Sequence, residues 1–373
     1  MENNMLKTNF LGMELKNPLI VAAGPWNRDG ANLRESIAAG AGAVVTESIV
    51  SDTLMDVGPR IACDGCGAQN IRLYSDIQVE GWQREIEIAK ADGGVLIASV
   101  SAHTPSEVAY LASKLEKYGA DAIELSVSNP MLESLEVVAS HADTIYDMTK
   151  AIVAAVKIPV LVKLSQNTTN ISKVAKAAKE GGASCVSAIN TVRGILGIDL
   201  ETCQPTLSTY GGISGDYIRP MALASVATIA QTVDIPVSGI GGVSEGRHAL
   251  EYIMLGASTV QVGTAVLLHG RQIIQKIIGE MEQWMQDHDH ASIDDIRGKA
   301  LANLKSFDEM RYEPFVSTVT GVPCEESCNR CVETCMYRAI TKAGQNVKVE
   351  RDKCTGCGLC TFICPAQKLS LGR

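Results

Sequence analysis

The chain of 373 residues can bury a full core and is too long for one small domain, and 46% apolar with 20% charged residues is an ordinary globular composition. A formal charge of −9 without a dense basic stripe argues against a nucleic-acid surface. No apolar run reaches about 18 residues, so no helical membrane span is expected.

Taken in order, short apolar runs alternate with helical patterns. Strands are predicted at 19–22, 43–46, 95–100, 122–127, 160–164, 185–189, 237–240 and 259–262. Stretches such as 107–117, 171–180 and 222–232 carry apolar residues at helical spacing. Gly40-Ala41, Gly119-Ala120, Gly181-Gly182 and Gly256-Ala257 stand just before the next strand, where a helix C-cap favours glycine. Eight such units fit a closed (β/α)8 TIM barrel, whose chemistry sits at the carboxyl ends of its strands. A doubly wound open sheet is the rival; the count of eight and the missing first-strand G-x-G-x-x-G count against it.

Two segments interrupt the repeat. Residues 58–74 look like an active-site loop, and 193–220 carry Tyr210-Gly211-Gly212-Ile213-Ser214-Gly215. Past the eighth strand, 271–286 reads as a long amphipathic helix, and Ser292 as the cap of another running to Leu304. Residues 311–323 link to the tail, so the expected division is a barrel at 1–310 and a ferredoxin-like domain at 311–373.

That tail carries the strongest motif. It reads Cys324-x3-Cys328-x2-Cys331-x3-Cys335, then Cys354-x2-Cys357-x2-Cys360-x3-Cys364-Pro365. The second run has the bacterial ferredoxin spacing, and in two-cluster ferredoxins the fourth Cys of each run ligates the other cluster. One 4Fe–4S cluster is therefore assigned to Cys324, Cys328, Cys331 and Cys364, and the other to Cys335, Cys354, Cys357 and Cys360. Structural zinc sites usually pair C-x2-C with a distant second pair, rather than packing four Cys this closely. A short hairpin is predicted between the runs, from Ala339-Ile340 through Gly344-Gln345-Asn346 to 347–349. Eight of the twelve Cys lie here, which with no visible signal peptide points to a reducing, cytoplasmic setting.

In the barrel, Gly239-Ile240-Gly241-Gly242 and Gly263-Thr264 fall on the loops after strands seven and eight, where a barrel binds phosphate. Glycine lets backbone N–H groups approach, and a helix starting near Ser244 adds a positive dipole end. Lys163 ends the fifth strand, so its ammonium would point into the mouth and could hold the negative charge of a reduced flavin.

Asn17-Pro18-Leu19-Ile20-Val21-Ala22-Ala23-Gly24, Val162-Lys163-Leu164, Asn190-Thr191-Val192, Asn70-Ile71-x-Leu73-x-Ser75, the glycine stretch at 210–215 and Gly241-Gly242 resemble the dihydroorotate dehydrogenase family. The likeness is closest to the FMN and iron–sulfur part of dihydropyrimidine dehydrogenase, including its bacterial two-subunit forms. It implies FMN at the barrel mouth, contacted by Ala22, Ala23, Gly24, Lys163, Gly215, Gly241, Gly242, Gly263 and Thr264. It also implies a substrate held by Asn70, Ser126, Asn190 and Thr191. Electrons would pass between a small cyclic amide or conjugated carbonyl compound and two 4Fe–4S clusters, and on to a partner: an FAD- and NAD(P)H-binding reductase subunit or a ferredoxin. A homo- or hetero-oligomer is expected.

Departures accompany the likeness. The family's fourth strand ends Asn-x-Ser-Cys-Pro, with Ser for Cys in some members, and that Cys or Ser moves the proton. Here the stretch is Ser126-Val127-Ser128-Asn129-Pro130. A carboxamide cannot exchange a proton as a thiol of pKa about 8.5 can. The Lys that ends the family's second strand is Glu47, and Met131 replaces an amide or His. Catalytic candidates are therefore Lys163, Asn129 at the family's acid/base position, and as replacement acid/bases Glu47, His103 and Cys63 or Cys66. The expected activity is oxidation or reduction of a CH–CH or C=C bond beside a carbonyl, on something other than a standard dihydropyrimidine. The rival is a non-catalytic electron-transfer or scaffold subunit.

Overall fold

The computed structural model describes residues 5–53, 57–131, 138–311 and 313–372. It divides into two compact units, Met1–Leu304 and Lys305–Arg373. In the first unit the eight runs become parallel strands: β1 (Leu19–Val21), β2 (Ala43–Val45), β3 (Val95–Val100), β4 (Ala122–Ser126), β5 (Val160–Leu164), β6 (Cys185–Ala188), β7 (Val237–Ile240) and β8 (Thr259–Val262). Each pairs with its sequence neighbour and β8 pairs with β1, which closes the TIM barrel.

Alternation along the strands decides what each side chain meets. Ile20, Ala43, Val45, Ile97, Leu161 and Cys185 form the inner cluster. Their neighbours Leu19, Val21, Val44, Leu96, Val162 and Val186 pack outward in the larger core shared with the helices. An N-terminal hairpin, Thr8–Phe10 with Met13–Leu15, adds Phe10 and Leu15 to the inner cluster. Several of its partners there begin their strands (Ala43, Ala122 and Cys185), so this end is plugged and the carboxyl end is left for chemistry.

The helices start where side chains can satisfy their first N–H groups. Thr104 caps Pro105–Lys117, with proline in its first turn, and Asn170 caps Ile171–Glu180. The predicted helix from Ser292 to Leu304 is replaced by two 3-10 turns, Ile293–Asp295 and Leu301–Asn303. Ser292 does cap the first of them, but Gly298 between them has a φ of 73°, which ends a right-handed helix.

The two interruptions are not loose loops. Ile61–Cys63, Gly67–Asn70, Gly211–Gly215 and Val192–Gly194 pair antiparallel in one four-stranded sheet. Gly215 lies so close to Gly67 that a Cβ there would stand 2.5 Å from the Gly67 Cα, and its φ is 86°. Only glycine allows that approach.

The second unit holds the predicted hairpin, as Ile340–Ala343 with Asn346–Val349, and a pairing of Val316–Val319 with Leu369–Gly372. Among its described residues, its buried apolar cluster consists of Cys331, Ile340 and Leu369. A core that small does not hold a domain without staples or metal.

Candidate active site

The carboxyl ends of the barrel strands open into one cavity of about 1400 Å³ counted out to its mouth. Ala22, Ala23 and Gly24 after β1, Glu47 after β2, and Ser126 and Asn129 at β4 line it. So do Lys163 on β5, Asn190 and Thr191 after β6, Gly241 and Gly242 after β7, and Gly263 and Thr264 after β8. Asn70 and Gly215 reach it from the four-stranded sheet. His103 is exposed and is not among the lining residues. Of the paired thiols, Cys66 lines the cavity and Cys63 does not; both are exposed.

At the floor, the Lys163 ammonium stands 3.9 Å from Oε1 of Glu124, a wholly buried carboxylate on β4. The other Glu124 oxygen accepts from Ser187 (2.8 Å) and Gln261 (3.1 Å). Oε1 of Glu124 and Oε1 of Gln261 are buried with no hydrogen-bond partner, and Gln261 lines the cavity. Buried acceptors of this kind are costly unless something donates to them.

Glu47, a candidate acid/base, is paired in the structure. Arg72 donates from Nε to Glu47 Oε1 (2.5 Å) and from Nη2 to Oε2 (2.9 Å), both residues being buried. A carboxylate gripped by a guanidinium fork is held in its charged, accepting form. Arg72 also lies 3.3 Å from Asp76. Asn190 spends its amide on the β4 loop, donating to the carbonyl (3.0 Å) and hydroxyl (2.8 Å) of Ser128. Asn129 accepts the Met131 N–H at Oδ1 (3.1 Å), and Asn70 accepts the Arg72 N–H (2.8 Å).

On the opposite wall, Gly242 has a φ of 65°, and a Cβ there would stand 2.8 Å from the Gly215 carbonyl and 2.6 Å from the Arg219 Cβ. Thr264 donates to the Ser214 hydroxyl (2.8 Å). Glycine turns, hydroxyls and a buried ammonium as donors, with the unpartnered Gln261 Oε1 as an acceptor, are a lining that fits a phosphorylated flavin.

The tail gathers its thiols in two places. Burial pushes the Cys331 thiol up, and Cys364, Cys324 and Cys328 around it push the same way. A second small cavity is lined by Cys335, Cys354, Cys357 and Cys360. Backbone N–H groups of Ser317, Ala339 and Lys368 donate to Cys354, Cys335 and Cys364 sulfurs at 3.2 to 3.3 Å. Among the described residues no three His, Cys, Asp or Glu side chains gather tightly enough for a single metal ion.

A barrel with this mouth, on a chain that ends in ferredoxin-spaced cysteines, defines a flavin-dependent oxidoreductase. A family profile described as dihydroorotate dehydrogenase matches residues 5–285, and one described as a 4Fe-4S binding domain matches 346–369. The chain is 36% identical over 300 residues to the dihydroorotate dehydrogenase B (NAD(+)) catalytic subunit of Pyrococcus abyssi, spanning 80% of this chain and 99% of that one. The subunit of the same name from Thermoplasma volcanium is 36% identical over 299 residues, spanning 79% and 98%. The crystal structure of an Eimeria tenella dihydroorotate dehydrogenase with ferulenol shares the fold, with a TM-score of 0.70 at 17% identity over 79% of this chain and 88% of that one. The chain belongs to the dihydroorotate dehydrogenase family of FMN-dependent oxidoreductases, and adds to it a 4Fe-4S binding domain. Among the described residues, no helix is long and apolar enough to cross a membrane.

The sequence reading missed Arg72, Tyr74, Trp26, Glu124 and Gln261. Trp26, Arg72, Tyr74 and Gln261 line the cavity, and Glu124 lies beneath it. Arg72 and Tyr74 fill the two open positions of the Asn70-Ile71-x-Leu73-x-Ser75 motif, which is the signal that could have found them.

Proposed function

We propose that this protein oxidises or reduces a CH–CH or C=C bond next to a carbonyl in a small molecule, and exchanges the electrons with a partner through two 4Fe–4S clusters. FMN supplies a centre that takes electrons in pairs and gives them up singly. Lys163, Gly215, Gly241, Gly242, Gly263, Thr264 and the 22–24 turn would hold it, with Lys163 placing positive charge where a reduced ring carries negative. Asn70, Ser126, Asn190 and Thr191 would hold the substrate. The cluster assignment is supported by the two gatherings of thiols, one around Cys331 and one around the small cavity. A partner that handles a nicotinamide through its own FAD suits a chain without a nicotinamide fingerprint. The Pyrococcus and Thermoplasma relatives are themselves named as catalytic subunits of an NAD(+) enzyme.

The observation that carries the substrate reading is Asn129 on the cavity wall, with its Oδ1 committed to the Met131 N–H. It stands where the family resemblance puts a proton-moving Cys or Ser. Dihydroorotate and dihydrouracil, each losing polar contacts worth about 1–3 kcal/mol per unsatisfied group, are expected to be poor substrates. The test is anaerobic and needs no partner: add each, then small enones and unsaturated cyclic amides, and follow the flavin absorbance. Bleaching or reoxidation by one of the latter supports the reading. A flavin inert to the whole panel would leave an electron-transfer or scaffold subunit.

A further inference from the structure

If Asn129 moves no proton, some other side chain at the cavity must. Glu47 has both oxygens on Arg72, and His103 is exposed and away from the lining. Cys66 lies on an exposed turn. Tyr74 lines the cavity, half-buried, and its hydroxyl faces the side chains of Ser101 and Asn129.

We propose that Tyr74 is the proton donor of this site, delivering its phenolic hydrogen to the carbon next to the substrate carbonyl as a hydride adds to the other carbon of the double bond. The inference rests on the redox reading above and gives it a direction.

The geometry around Tyr74 is built to hold it. On one side Arg72 is pinned by Glu47; on the other, Ser75 donates its N–H to the Ser48 carbonyl (2.9 Å) and accepts from the Trp82 indole (3.2 Å). Ser101 is fixed by donating to the Ser126 carbonyl at the end of β4 (3.1 Å). With Oδ1 of Asn129 taken by the Met131 N–H, the NH2 end of the amide is the one free to donate to the phenol oxygen. Asn129 thus becomes a positioning residue: a donor that stabilises the phenolate left after transfer.

Burial pushes the Tyr74 phenol above its usual range, and Glu107 adds to this, while Ser101 and Asn129 pull the other way. An ordinary phenol titrates at about 10, so the group carries its proton at neutral pH and can donate it. The proposed step is reduction of a double bond conjugated to a carbonyl, such as an enone or an unsaturated cyclic amide. The balance is simple. The Tyr74 O–H bond breaks and a C–H bond forms; a hydride, which FMN would supply when bound and reduced, forms the second C–H bond; the C=C π bond is lost; and the phenolate regains a proton from water.

The experiment uses the flavin- and cluster-loaded protein, reduced anaerobically with dithionite and mixed with 2-cyclohexenone or 5,6-dihydropyridin-2(1H)-one, an enone and an unsaturated cyclic amide. Wild type tests the redox reading: if neither reoxidises its flavin, that reading falls and Tyr74 with it. Where one does, Y74F is expected to slow reoxidation by ~10²–10⁴-fold, with flavin content and affinity for the probe retained. In D2O the wild-type product should carry solvent deuterium on one face of the carbon next to the carbonyl, and Y74F should lose that selectivity. As a second variant, 3,5-difluorotyrosine at position 74 should move the alkaline limb of the rate profile to lower pH. A wild-type rate in Y74F, loss of flavin from Y74F, the same slowing in C66S but not Y74F, or an unmoved alkaline limb would each overturn the proposal.

Discussion

The barrel and the tail solve one problem, holding a redox group, by opposite means. The barrel buries a core running from Leu6 to Ile296, and its cavity is a set of strand ends displayed by that core. Among its described residues the tail's buried apolar cluster is three side chains, one of them a proposed cluster ligand, so the proposed clusters would stand in for a core. On this reading structure precedes the cofactor in the barrel, and the cofactor makes the structure in the tail.

That contrast can be broken most sharply by removing iron. Stripping it anaerobically with a chelator should erase hydrogen-exchange protection across 313–372 and leave that of β1–β8 in place. Equal protection in the stripped tail would contradict the contrast. The crossed ligation is tested by C335S, which should lose the cluster of Cys354, Cys357 and Cys360. Iron content is then expected to fall from about eight to about four per chain. Within the barrel, R72A removes the guanidinium fork from buried Glu47, a loss of about 3–5 kcal/mol read as a lower melting temperature of the flavin-bound protein. A surface pair such as Lys7–Glu14 should change stability by under about 1 kcal/mol when broken. One change is a gain: N129C should raise oxidation of dihydroorotate or dihydrouracil by about tenfold or more, measured as flavin bleaching, because it returns a thiol to the end of β4.

The two regions also differed in how far the sequence revealed them. The proposed tail ligands are close in sequence, so spacing alone suggests them, and the hairpin predicted between the runs is present. The eight barrel strands were legible because each is a short apolar run, and β3, β5, β7 and β8 have the predicted bounds. The sheet joining Gly67–Asn70 to Gly211–Gly215 was not, because strands of glycine and amide residues carry no β pattern and pair across a long sequence gap. The Arg72–Glu47 fork was hidden as well: Glu47 stood out and Arg72 did not, and only the fold shows that the two pair. Tyr74 escaped for a simpler reason, as a position between the residues that carried the resemblance.

A reductive titration of the anaerobically purified protein tests the joined centres most directly. One flavin and two clusters should accept about four electrons per chain, two as the flavin bleaches and one for each cluster, with the cluster signals seen by electron paramagnetic resonance. Uptake of about two electrons, with no cluster signal, would contradict the account.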